Sequence, residues 1–125
     1  MKKILVLMIT TIALLWGCEE NDTGNVKISV SNASEFDFQN VHVNPGSEEM
    51  NFGAIDAGDF SDYKTFTKAY RYGFIQLEIN GDTVSLQPVD YVGETPLKNG
   101  FYTYKLDVSG SPGQFSLSLE LEKDK

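Results

Sequence analysis

The sequence predicts an all-β domain: two antiparallel sheets packed face to face as a sandwich of about seven or eight strands. Three observations carry this. From Val26 onward apolar residues recur with period two, and no stretch holds helical spacing over three turns. Clusters of Gly, Pro, Asn, Asp and Ser break the alternation at regular intervals, as short sandwich strands require. The chain has 125 residues, so one domain is the prior, and a body of about 100 residues can bury one modest core.

In the first strand Val26, Ile28 and Val30 alternate with Lys27, Ser29 and Ser31. In the second, Val41 and Val43 flank His42. Residues 50–55 form a weaker segment, and a turn at Asp56-Ala57-Gly58-Asp59 leads to a candidate strand over 60–66. Ile75, Leu77 and Ile79 run into Asn80-Gly81-Asp82, then Val84 and Leu86. Asn-Gly signals a hairpin, because both central turn positions favour positive φ. Two registers keep the apolar faces together. A turn centred on Asn80-Gly81 sets Leu77 opposite Val84 and Ile75 opposite Leu86. A turn on Gly81-Asp82 sets Ile79 opposite Val84 and Leu77 opposite Leu86. Pro88 closes that strand, and a loop with Gly93 and Pro96 follows. Tyr102, Tyr104, Leu106 and Val108 then alternate with Phe101, Thr103, Lys105 and Asp107. A turn over 109–114 leads to Phe115, Leu117, Leu119 and Leu121, with Ser116, Ser118 and Glu120 between them.

The segment Leu97-Lys98-Asn99-Gly100-Phe101-Tyr102 resembles the tyrosine corner that enters the penultimate strand of immunoglobulin-like sandwiches. There, a Tyr two residues after a turn Gly hydrogen-bonds back to the loop backbone. The resemblance implies an immunoglobulin-like arrangement, with Tyr102 in that role and the hairpin to 115–121 as the last strand pair. The Cys…Trp…Cys core of antibody domains is absent, since Trp16 and Cys18, the sole residues of their kinds, stand near the N-terminus.

That N-terminus has its own logic. Met1-Lys2-Lys3 is cationic, and residues 4–16 are apolar except for Thr10 and Thr11. The run suits a signal-peptide h-region and falls short of the roughly 20 residues of a spanning helix. Leu15-Trp16-Gly17-Cys18 follows, and it resembles the lipobox of bacterial lipoproteins, with Trp16 in the tolerant slot. The resemblance implies that Leu15 and Gly17 serve signal recognition, that residues 1–17 are removed, and that the Cys18 thiol takes a diacylglycerol. Two or three acyl chains anchor stably where one is marginal. Residues 18–25 then form the lipidated Cys and a flexible acidic tether, and 26–125 the sandwich domain. The cluster Glu19-Glu20-Asn21-Asp22 resembles the surface-export signal of Bacteroidota lipoproteins, which implies display on the outer face of the outer membrane. A solvated linker facing the periplasm is the alternative.

Composition excludes several classes. Without residues 1–17, 18 acidic residues stand against 8 basic ones, a net charge near −10. Nucleic-acid binding needs Lys and Arg to neutralise phosphates, so no such partner is expected. Attachment to anionic lipid is unfavourable for the same reason, which leaves the covalent lipid as the membrane contact. One cysteine permits no internal disulfide. His42 is the only histidine, so no His dyad or His-rich metal site can form within one chain, and its valine neighbours put it on an outer face. Asp56, Asp59 and Asp62 recur every third residue, but a calcium loop wants a denser set of oxygens, so a polar turn is the simpler reading. A glycosidase needs two opposed carboxylates in a cleft, which a sandwich this small has little material to build. No cofactor, no metal and no catalytic residues are expected.

Aromatic residues are the best functional lead. All six tyrosines fall between Tyr63 and Tyr104. In an unbroken strand Tyr70, Tyr72 and Phe74 share a face opposite Ile75, Leu77 and Ile79, a row suited to sugar stacking or a protein contact. A β-bulge at Gly73, the favoured alternative, turns Tyr70 and Tyr72 into the core. The leading expectation is a non-catalytic, lipid-anchored module that binds or supports a partner at the cell envelope. Its alternatives are a glycan-binding accessory lipoprotein using surface tyrosines, and a structural subunit whose edge strand over 115–121 pairs with a neighbour. Replacing Cys18 with Ala is expected to abolish fatty-acid labelling and membrane fractionation; labelling that persists in the variant rules lipidation out.

Overall fold

Period-two alternation becomes pairing from Val26 onward. The computed structural model describes residues 25–88 and 94–124. The expected signal-peptide helix over 1–17, with Leu15 and Gly17, the expected lipidation site Cys18 and the expected tether residues before Asn25 lie outside the described residues. Eight strands form: β1 Val26–Asn32, β2 Phe38–Asn44, β3 Met50–Ile55, β4 Lys64–Phe66, β5 Phe74–Ile79, β6 Asp82–Leu86, β7 Gly100–Ser109 and β8 Ser116–Lys123. They build two four-stranded sheets, ordered β4-β1-β7-β8 and β3-β2-β5-β6.

The sheets stack as a sandwich because each presents one apolar face. Val26, Ile28, Val30, Phe66, Tyr102, Tyr104, Leu106, Val108 and Leu117 come from the first sheet, and Phe38, Val41, Val43, Phe52, Ile55, Ile75, Leu77, Ile79 and Val84 from the second. The layered architecture is the one expected, with its own strand order. The last hairpin, β7 and β8, lies beside β1, which runs parallel to β7 with Val26 opposite Gly100 and Asn32 opposite Leu106. The other pairings are antiparallel.

The Asn80-Gly81 hairpin takes the first of its two registers: Leu77 lies opposite Val84 and Ile75 opposite Leu86. Asn80 (φ 50°) and Gly81 (φ 91°) both occupy the left-handed region that a type I′ turn needs. The tyrosine corner also forms, since the Tyr102 hydroxyl donates to the Lys98 carbonyl at 2.8 Å.

Two segments depart from simple alternation. In β2, Phe38 and Val41 are both buried although three residues apart, because register shifts on either side of Val41 interrupt the ladder and Asn40 adopts φ 48°. Phe52 and Ile55 of β3 show the same spacing. The expected strand over 60–66 is mostly absent: Phe60 makes a single bridge to Ser31, and regular pairing covers only Lys64–Phe66. Ser61 explains the gap. Its N–H donates to the Val30 carbonyl, and its hydroxyl accepts from the Val30 N–H at 2.9 Å, so a side chain stands where a strand carbonyl would.

A heavily bonded residue of the interior is Asn32, at the end of β1. Its amide nitrogen donates to the Phe36 carbonyl (2.7 Å) and the Ile55 carbonyl (2.9 Å). Its amide oxygen accepts from the Ser34 N–H (2.9 Å) and the Ser34 hydroxyl (2.7 Å). Its main chain donates to Asp59 O and accepts from Gly58 N. Replacing Asn32 with Ala strands buried partners and is expected to cost about 3 kcal/mol or more. Asn32→Asp, which sets an acceptor against two carbonyls, is expected to be no better. Denaturant unfolding measures both, and a loss under about 1 kcal/mol for either contradicts this role.

Candidate functional site

The outward face of the β4-β1-β7-β8 sheet follows from its register. Ser29 of β1 lies opposite Thr103 of β7, which lies opposite Glu122 of β8. One row along, Ser31, Lys105 and Glu120 pair in the same way. Small hydroxyl side chains therefore form a floor where long ones flank it. The 60–63 segment rises along one side, and the result is a cavity of about 400 Å³ lined by Ser29, Ser31, Phe60, Tyr63 and Thr103 together with the acidic Asp62, Glu122 and Asp124.

This surface is unusual for an outer face because part of it is buried. Ser29 and Thr103 are nearly inaccessible. Their oxygens lie 3.1 Å apart, and the Thr103 hydroxyl donates to Asp124 Oδ2 at 2.6 Å. A hydroxyl has a single proton, so Ser29 must be the donor to Thr103. The Tyr63 hydroxyl donates to the same Oδ2 at 2.7 Å. The relay thus runs from Ser29 through Thr103 to Asp124, with Tyr63 arriving from the other side. Asp124 itself is placed by its N–H, which donates to the Phe101 carbonyl.

Aromatic rings stand beside this polar floor. Phe60 is 74% exposed and Tyr63 41%. Tyr63 packs edge-on against Phe101, with centroids 5.0 Å apart, and the Lys27 ammonium sits over the far part of that cluster, 5.8 Å from the Phe101 ring. The Tyr63 phenol is held above the usual tyrosine range. Donation to Asp124 is the main cause, followed by desolvation and the Asp124 charge, with Thr103 pulling weakly the other way.

The residues singled out from the sequence are dispersed. Neither an unbroken strand nor a bulge accounts for 70–74, because β5 begins only at Phe74. Gly73 is buried, and a Cβ there would meet the Asn44 carbonyl oxygen at 2.4 Å, so this glycine marks a close crossing of backbones. Tyr70, Tyr72 and Phe74 are all half-buried. Tyr70 donates its N–H to the Pro45 carbonyl, lays its ring over Gly46, and offers its carbonyl to the Tyr104 hydroxyl. Tyr72 lines a groove of about 470 Å³ with Leu86, Pro88, Leu117 and Leu119, where the β6 and β8 edges approach. Phe74 borders a different hollow, beside Asn44 and Ser47. Pro88 lines both hollows and Gly46, under the Tyr70 ring, lines the second, so the three residues border adjoining depressions away from the concavity of Phe60 and Tyr63.

His42 lies on the outer face of the other sheet, its Nδ1 2.8 Å from Glu49 Oε2. Asp56 and Asp59 close a turn, Asp59 N–H donating to the Asp56 carbonyl. Among the described residues, no three of His, Cys, Asp or Glu gather as metal ligands. β8 is an edge strand.

The chain matches no protein-family model, no curated protein and no solved structure.

The raised Tyr63 phenol fixes the sign of a pH effect. Folding favours the protonated form, so its stabilisation is complete below the unfolded value near about 10 and lost as pH rises through the higher folded value. The stability gap between the protein and Tyr63→Phe is expected to be flat from about pH 7 to 10 and to shrink above it. Denaturant unfolding at rising pH checks this; a gap that widens above about pH 10 contradicts it.

Proposed function

We propose that this chain is the precursor of a lipid-anchored, non-catalytic binding module of the bacterial cell envelope. The observation that carries the reading is Leu15-Trp16-Gly17-Cys18, set directly behind an apolar run and two lysines. Residues 19–25, fully extended, reach at most about 25 Å, so the sandwich that opens at Val26 stays close to the bilayer. Glu19, Glu20 and Asp22 support display on the outer surface. The concavity beside Phe60 and Tyr63 supports binding, because it sets aromatic surface next to hydroxyls and carboxylates. Phe60 keeps its ring in water rather than in the core.

The test is protease shaving of intact cells that carry a C-terminal epitope tag. Loss of the tag without lysis is expected. Protection until the outer membrane is broken turns the orientation toward the periplasm, and recovery of the tagged protein in a soluble fraction overturns the anchored reading altogether.

A further inference from the structure

We infer that the concavity on the outward face of the β4-β1-β7-β8 sheet binds a neutral carbohydrate, with one sugar ring stacked on Phe60. This rests on the binding-module reading and names its ligand class.

The cavity of about 400 Å³ lies within the range of small-molecule sites, roughly 300–1,000 Å³. Its apolar element is one well-presented ring. Phe60 is tied to Ser31 by a β-bridge, and the next residue is clamped to Val30 through both its N–H and its hydroxyl, so the backbone below the ring is fixed while the ring stays in water. A pyranose offers such a ring its C–H face and turns its hydroxyls outward, where they need both donors and acceptors.

The floor supplies both. Because the relay runs Ser29 to Thr103 to Asp124, the Ser29 oxygen retains acceptor capacity. Both donors to Asp124 use Oδ2, which leaves Oδ1 as an acceptor. The Ser31 hydroxyl can donate or accept, and Asp62 and Glu122 add carboxylates. Carboxylates accept from the hydroxyls of neutral sugars in strong, charge-assisted bonds.

Charge narrows the class. Among the described residues that line the cavity, none is cationic while three are acidic, so uronic, sulfated or phosphorylated sugars are repelled. An ammonium ligand would suit the carboxylates but leave the Ser31 donor unused. It also favours several ring faces around it, whereas Phe60 and Tyr63 are the two aromatic residues among the described lining.

The test uses the full-length lipidated protein in detergent, run on native gels that contain α-glucan, β-glucan, mannan, xylan or galactan. Chitosan and a sulfated polysaccharide serve as charged comparisons. At least one neutral polymer is expected to retard the protein. Phe60→Ala should weaken that retardation about tenfold or more and Glu122→Gln several-fold, while Glu78→Gln on the opposite sheet leaves it unchanged. Because Phe60 is exposed, F60A should melt close to the parent. Retardation that survives Phe60→Ala, that is lost only with Tyr72→Ala, or that is confined to a charged polymer overturns the inference. No retardation by any polymer also overturns it. A photocrosslinker at position 60 in intact cells then separates the two readings: a discrete crosslinked partner leaves the binding module standing, and no adduct removes that as well.

Discussion

A single buried amide holds one end of this sandwich together. Asn32 occupies the inward phase of β1, where Val26, Ile28 and Val30 precede it. An unpaired amide in such a place costs several kcal/mol, roughly 2–7 depending on the reference. The fold meets that cost by bringing partners to it. The Ser34 turn supplies two donors, Phe36 and Ile55 supply two carbonyls, and Gly58 and Asp59 close on its main chain. The residue therefore links β1, the connection into β2 and the end of β3. The two sheets meet in register at that end because this amide has one satisfied geometry, whereas the aliphatic core around it would tolerate small sliding.

The outward concavity depends on the same neighbourhood. The chain leaving Asp59 is held beside β1, so Phe60 and Ser61 arrive next to Ser31 and Val30. Since Ser61 uses its hydroxyl in place of a ladder carbonyl, the backbone there does not lie flat as an edge strand, and β4 starts only at Lys64. The displaced 61–63 segment brings Tyr63 over the sheet to meet Asp124 from the far end of the chain. Inner polar satisfaction and outer surface shape are thus two results of one backbone path.

Much of the architecture was legible because burial on one face writes period two into a strand. β1, β5, β7 and β8 read directly, and Asn-Gly and the Tyr102 corner placed a turn and a strand entrance. The alternation failed where the backbone changes phase: Phe38 and Phe52 look outward by parity and point inward through bulge geometry. It also failed at Gly73, where a glycine in a plausible strand marked a steric crossing. The candidate site was the least legible part. Ser29 and Thr103 sit in polar phases and look like ordinary solvated positions. Only the parallel register of β1 on β7, a contact over about seventy residues of chain, puts them side by side. Phe60 was placed in a strand, and nothing local announces that its ring stays in solvent.

The parallel β1–β7 pairing also governs how the domain can be assembled in time. Through most of its length β1 has only β7 as a neighbour on one side, and the short β4 on the other. Whichever way the chain emerges, the first strand must wait until residues 100–106 exist before its long side is occupied. Closing so large a loop carries an entropic penalty that no early local contact offsets, and high contact order slows folding. A chain built this way closes late around its first strand, once its last hairpin is in place.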